Sequence, residues 1–277
     1  MGVLFGLIAA FGWGTGDFVI SRIARKIGPL PTLLYVQLAG LLTIGLVLLV
    51  RRDPFPADLG VWARAAGVNM LNVVGTLCLY RALAVGTVAI VSPLAASFAV
   101  VTALLAVLGG ERLAPATLLG VAVVVGGVIV VARAPGASAA SLEGVPAAFG
   151  AALCYGIFFY LLVPVTASMG IAWPVLVARI LTGATAAALL LVRREQPPQL
   201  TPRLAGAILL ATSLDTLGFL AYNSGISTAY VSVVTAMASI FSAVTVLLAW
   251  VFLHERLAPS QWAGVAAVLA GVLLVSV

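Results

Sequence analysis

Charge is scarce in this chain. Only 8% of its 277 residues are Asp, Glu, Lys or Arg, against about a quarter in a soluble domain, so an ordinary water-facing surface is excluded. The 63% hydrophobic content also excludes intrinsic disorder, which needs low hydrophobicity and high charge. Histidine occurs once, at His254, and cysteine twice, at Cys78 and Cys154. A single histidine without metal-ligand spacing speaks against an intramembrane enzyme, which needs a converging His/Asp/Ser or metal constellation. The cysteines lie in apolar stretches without a CxxC and read as packing residues. No Walker sequence or phosphate-cradling loop occurs, so ATP is not expected to drive the protein and no cofactor is expected. No basic residue precedes the first apolar run, and its first charges are Asp17 and Arg22. That is the wrong order for a cleavable signal peptide, so residue 1 onward is expected to be mature protein.

What the chain has instead is apolar length. A membrane-spanning helix takes about 20 apolar residues, and runs bounded by Pro, Gly or charge predict ten spans. They are 2–21, 31–50, 61–83, 87–108, 115–132, 145–165, 172–192, 203–225, 229–252 and 259–277. Runs such as Val121 to Val131 lack the polar alternation of barrel strands. The expected fold class is an all-α polytopic membrane protein. The net charge of +6 would suggest nucleic acid in a soluble protein, but these Lys and Arg lie between apolar runs, where topology-setting charges belong. The expected partners are therefore a lipid bilayer and a small-molecule substrate, not nucleic acid, with the chain a monomer or a homodimer.

An internal repeat organises the spans. Glu-Arg-Leu-Ala-Pro occurs at 111–115 and again at 255–259, 144 positions later. Gly120 and Gly127 map to Gly264 and Gly271 at that offset, and Phe5-Gly6 to Phe149-Gly150. A shift of 142 pairs Tyr80 with Tyr222 and Ser97 with Ser239. The predicted units are a five-helix repeat over 1–133 and a second over 145–277. Because five is odd, the second repeat enters the bilayer from the opposite side. Such inverted repeats characterise secondary transporters, whose substrate site lies at the midplane between the halves.

With Gly12-Trp13-Gly14 in the first span, the repeated Glu-Arg-Leu and the downstream glycines, the whole chain resembles the EamA-like branch of the drug/metabolite transporter superfamily. The resemblance implies ten helices in two halves and export of amino acids or similar small metabolites. Its members also carry drugs, and relatives carry nucleotide-sugars or triose phosphates. A multidrug or sugar-phosphate-like carrier is thus the alternative within the class. A channel would instead need a continuous polar or charged pore, usually completed by oligomer symmetry. Asp17 and Asp215 lie outside the family pattern and stand on physics alone.

Ionisable groups inside hydrocarbon are costly, so they face the bundle interior or a watery cavity. Three are deep: Asp17, Arg179 and Asp215. Asp215 is expected to act in transport or gating, or in a structural pair, and Asp17 to lie nearer the interface. Both acids are candidates for proton coupling. Arg179 is expected to snorkel, to neutralise an aspartate or to hold a substrate carboxylate. In the third span Asn69, Asn72, Thr76 and Tyr80 share one helical face, as Thr212, Asp215, Phe219 and Tyr222 do in the eighth. Both stripes are predicted to line the cavity, with the two tyrosines approaching a shared axis. Ser232, Thr235, Ser239 and Ser242 share a face of the ninth span, readable as interhelical hydrogen bonding or as lining. Trp13, Tyr155 and Phe159 look inward and would suit apolar or aromatic amino acids, while Trp62, Trp173, Trp250 and Trp262 read as an interface belt. The glycines around Trp13, with Pro93 and Pro164, mark either close packing or hinges. The two Glu-Arg pairs are expected to cap helix ends, and His254 to be a solvated loop residue.

Ten spans put both termini on one side. Arg22, Arg25, Lys26, Arg81, Arg133, Arg193, Arg194, Arg203 and Arg256 fall on the opposite face. Arg51, Arg52, Arg64 and Arg112 fall on the termini face. The positive-inside rule therefore predicts both termini outside. The expected location is the cell (inner) membrane of a bacterium, as a multi-pass protein.

Overall fold

A computed structural model describes residues 1–110, 142–253 and 259–275, together with 116, 119, 120, 123, 126, 127 and 130. The described residues form helices and no strand. In chain order these are α1 (Gly2–Ile27), α2 (Pro29–Arg51), α3 (Leu59–Val85), α4 (Val88–Ala96), α5 (Phe98–Leu108), α6 (Val145–Met169) and α7 (Trp173–Arg193). There follow α8 (Pro202–Ile226), α9 (Val231–Ser239), α10 (Phe241–Leu248), a π-helical turn at Ala249–Leu253, and α11 (Pro259–Val275). Taking α4 with α5, and α9 with α10 and the π turn, eight of these units are long and apolar enough to cross a membrane. A shorter apolar stretch, Trp262–Gly271, lies in α11. The chain is a polytopic helical membrane protein. Of the predicted span 115–132, 11 of 18 residues lie outside the described residues, as do both Glu-Arg pairs, Arg133 and His254.

Local sequence explains the helix ends. The first helix runs six residues beyond its predicted end and carries Arg22, Arg25 and Lys26 in its last turns. Cations complement the carbonyl end of a helix dipole, so these charges extend the helix instead of ending it. Gly28 stops it with φ 88°, and Pro29 and Pro31 open α2 immediately afterwards. Proline suits a helix start because its missing N–H would have no partner there. Asp58 caps α3 by accepting from Gly60 N at 2.8 Å, and Thr201 caps α8 by accepting from Leu204 N at 3.3 Å.

The fourth apolar unit of each half is broken. Between α4 and α5 the chain tightens at Ser97, whose amide bonds Leu94 O at 3.2 Å and whose hydroxyl donates to the same carbonyl at 2.6 Å. Between α9 and α10 the corresponding bonds are Ile240 N to Met237 O at 3.3 Å and Ser239 Oγ to Ala236 O at 2.7 Å. Such i to i+3 bonds overwind a helix locally and often mark a hinge.

Packing crosses the chain's midpoint throughout. α1 packs chiefly on α8, α3 on α6, and α2 on α7. The α1–α8 contact is a backbone contact. A Cβ on Gly12 would stand 2.6 Å from Leu214 O, and one on Gly14 would stand 2.5 Å from Phe241 O in α10. These glycines let the helices approach as in small-xxx-small packing. Gly127 similarly abuts Gly264 O, at 2.8 Å from a hypothetical Cβ.

Candidate functional site

The apolar runs bury their polar exceptions together. Asp17 lies midway along α1, Asn72, Thr76 and Tyr80 along α3, Tyr155 along α6 and Asp215 along α8. They converge on a cavity with two adjoining lobes that share Asp17, Leu79, Tyr155, Asp215 and Phe219. One lobe is walled by aromatic rings from Trp13, Phe98, Tyr155, Phe159, Phe219 and Phe241. The other carries the polar groups of Gln37, Asn72, Thr76, Tyr80 and Arg179.

Arg179 organises the polar lobe. Its Nη2 donates to Asp215 Oδ2 at 2.5 Å and to Thr216 Oγ1 at 3.0 Å, and its Nη1 donates to Gln37 Oε1 at 3.1 Å. Thr43 Oγ1 lies 3.1 Å from Thr216 Oγ1 and extends the network into α2. The guanidinium carbon stands 5.9 Å from the centroid of Phe219. Gly40 leaves the space this side chain needs: a Cβ there would sit 2.7 Å from Arg179 Cδ and Nε. A buried charge needs a partner and further hydrogen bonds, and Arg179, only 3% exposed, has both. It is a neutralising partner anchored in the bundle, not a snorkelling residue.

Asp17 differs. It is 7% exposed, lines both lobes, and makes no hydrogen bond or ion pair with any described residue. Its place is the cavity wall, deeper than the near-interface position its sequence neighbourhood suggests, because α1 continues well past Arg22. Across the cavity, Tyr155 donates to Thr76 Oγ1 at 3.0 Å, and Thr76 donates to Asn72 O at 2.7 Å. Asn72 Oδ1 and Trp13 Nε1 are buried without a hydrogen-bond partner.

The aromatic lobe is a contiguous cluster. Trp13 meets Phe159 at 5.5 Å, Phe219 at 5.2 Å and Tyr222 at 5.5 Å between centroids. Phe98 meets Phe159 at 4.9 Å and Phe241 at 6.2 Å.

Of the residues singled out in the sequence, the structure brings Trp13, Asp17, Asn72, Thr76, Tyr80, Tyr155, Phe159, Arg179, Asp215 and Phe219 to the cavity. Three others stand behind it. Tyr222 packs its ring on Trp13 and Phe159 while its hydroxyl lies 2.6 Å from Thr235 Oγ1. Asn69 donates to Ala65 O at 2.8 Å within its own helix, and Ser239 serves the α9–α10 break. Tyr80 and Tyr222 belong to different core clusters and share no ring contact among the described residues. Gln37, Phe98 and Phe241 join the site without having been singled out. A lone amide in an apolar span marked Gln37, whereas the two phenylalanines carried no signal in polarity.

Trp62 and Trp173 are more than a belt. With Phe55 they form a three-ring cluster at the end of the bundle carrying Arg51 and Asp58, with centroids 5.3 to 5.7 Å apart. Their indoles donate to Pro56 O at 2.8 Å and Pro54 O at 2.9 Å, and so pin the α2–α3 connection across the end of the bundle.

The sequence model of a family described as the EamA-like transporter family matches this chain twice, over 1–133 and 142–277. An uncharacterized protein of Methanocaldococcus jannaschii is 28% identical over 128 residues, which is 46% of this chain and 93% of that protein. One crystal structure superposes with a TM-score of 0.74 over 99% of this chain and 97% of its own, at 18% identity. At that identity the likeness is one of fold alone.

Proposed function

Because this chain belongs to the EamA-like transporter family, we propose that it is a secondary transporter moving small organic metabolites outward by alternating access between two inverted five-helix repeats, 1–133 and 145–277. The observation that carries the reading is the cavity: a mid-bundle chamber built from α1, α2 and α3 of one half and α6, α7 and α8 of the other, polar at one lobe and aromatic at the other. Small-molecule sites have this form, mostly apolar with a few convergent polar groups.

Three observations support the repeat. The family model matches each half separately. Nearly the whole length of the archaeal relative is covered by under half of this chain. Packing partners also exchange between halves: α1 with α8 answers α6 with α3, α2 with α8 answers α7 with α3, and α1 with α10 answers α6 with α5. An odd number of spans per repeat makes the halves antiparallel, an arrangement that serves alternating access about a fixed central site.

The aromatic lobe suits a cargo with an apolar or aromatic body, and amino acids of that kind are the proposed metabolites. Asn72, Thr76, Tyr80 and Tyr155 are the proposed polar contacts, Trp13, Phe159 and Phe219 the proposed stacking surfaces. Asn69, Tyr222 and Ser239 support them from behind. Asp17 and Asp215 are the acids proposed for proton coupling, in the cell membrane of a bacterium with both termini outside.

Proteoliposomes tested against a panel of amino acids, with and without a pH gradient, decide the matter. Saturable flux of an aromatic amino acid that responds to the gradient is expected, with the response lost in Asp215→Asn while transport persists. Saturable flux of none of them would refute the amino-acid reading.

A further inference from the structure

We propose that the cavity selects its cargo by a positive charge: the cargo is an aromatic or apolar ammonium compound whose cationic end docks beside Asp17, and a carboxylate on it is not needed. The proposal rests on the transporter reading of the same cavity and names the chemistry that the cavity recognises.

The argument begins with what the charged groups are already doing. The guanidinium of Arg179 spends its two terminal nitrogens on Asp215, Thr216 and Gln37. Nε of Arg179 is buried without a hydrogen-bond partner among the described residues, but the charge of the guanidinium is already balanced by Asp215, so a cargo carboxylate would have to share one cation with a buried acid, an unfavourable arrangement. Asp17 has no such partner among the described residues. The titratable and charged groups lining the two lobes are Asp17, Asp215, Arg179, Tyr80 and Tyr155. Two acids and one cation leave one acid without a cationic partner lining the cavity, and it is Asp17.

The wall around Asp17 agrees with that sign. Trp13 precedes it by one helical turn, and the aromatic lobe that Asp17 borders presents rings from α1, α5, α6, α8 and α10. Ring faces carry negative potential and attract cations, most strongly where water is excluded. The same faces repel an anion. An ammonium at Asp17 would meet an acid without a cation and the rings of the adjoining lobe at once, with its apolar body lying among those rings. A zwitterion gains the same contacts but brings a carboxylate that no uncommitted cation lining the cavity receives.

Four probes sharing an indole body separate these cases: tryptamine, tryptophan, indole-3-propionate and 3-methylindole. Calorimetric titration of the purified full-length protein is expected to show tryptamine binding at least about tenfold tighter than the neutral and anionic probes, the order of a desolvated cation–π contact with a counter-charge. Tryptamine is also expected to bind at least as tightly as tryptophan. Asp17→Asn is expected to remove the preference of tryptamine over 3-methylindole, and Asp17→Glu to restore it. Tighter binding of tryptophan than tryptamine, equal binding of tryptamine and 3-methylindole, or no binding of tryptamine would each overturn the proposal on the unmodified protein. Flux of the amino-acid panel reports separately on the transporter reading: saturable flux alongside failed tryptamine binding overturns the charge rule alone, and absence of all saturable flux overturns the reading beneath it.

Discussion

Phe98 and Phe241, 143 positions apart, stack with their ring centroids 6.2 Å apart and their planes 19° from parallel. Each is the first residue after the break in its own fourth apolar unit, Phe98 opening α5 and Phe241 opening α10. The pair therefore joins the two helix breaks directly across the aromatic lobe, which both rings line.

This stack should be measurable as a coupling. A double-mutant cycle of Phe98→Ala and Phe241→Ala, read by thermal unfolding in detergent, is expected to give an interaction of about 0.5–1.5 kcal/mol, the usual worth of an aromatic pair. Strictly additive losses would show that the rings only fill space.

The pair of Arg179 and Asp215 should obey a different arithmetic. Arg179→Met strands the Asp215 carboxylate, whose side chain is 17% exposed, and is expected to destabilise by about 3 kcal/mol. Arg179→Met combined with Asp215→Leu removes both charges and is expected to recover most of that loss. Unfolding midpoints of the two variants check this, and equal losses in both would refute the pair's role as mutual neutralisers.

Two glycine substitutions should have opposite signs. Gly14→Ala sets a Cβ 2.5 Å from Phe241 O, a backbone atom that cannot swing aside, and is expected to cost about 1–3 kcal/mol as overpacking does. Gly206→Ala in α8 meets nothing within 4 Å and is expected to stabilise by about 0.5–1 kcal/mol through a stiffer unfolded chain. Thermal unfolding of both variants in one detergent is the check.

The ring cluster of Phe55, Trp62 and Trp173 predicts an accessibility change. Trp173→Ala removes a ring from the cluster and the bond to Pro54 O. In a background with Cys78 and Cys154 replaced by serine, a cysteine introduced at Asn72 is expected to react several-fold faster with a membrane-impermeant maleimide applied from the Arg51 side. An unchanged rate would mean that the cavity is sealed elsewhere on that side.

Much of this was legible because a membrane span advertises its exceptions. Asn72, Thr76 and Tyr80 fall four apart in an apolar helix, and that period alone puts them on one face. Arg179 and Asp215 stood out singly. Their mutual bond did not, since it depends on how α7 meets α8. Phe98 and Phe241 were hidden among 11 phenylalanines, for a ring lining a cavity and a ring facing lipid are equally apolar. The breaks at Ser97 and Ile240 were hidden for a related reason: the runs on either side are continuously hydrophobic, and the break is a matter of hydrogen-bond register. The extension of α1 to Ile27 is not legible in hydropathy, because Arg22, Arg25 and Lys26 end the apolar run while in a last turn they favour continuation of the helix.

The seam between α1 and α8 carries a final consequence. Where backbone presses on backbone without intervening side chains, two helices have little freedom to slide, so any displacement of α1 takes α8 along. Yet α1 lies near the start of the chain and α8 beyond its middle, and the same holds for α3 with α6. The mechanical parts of this molecule are thus interleaved, each assembled from both halves of the chain. A tear along the line between the halves would cut through its tightest joints.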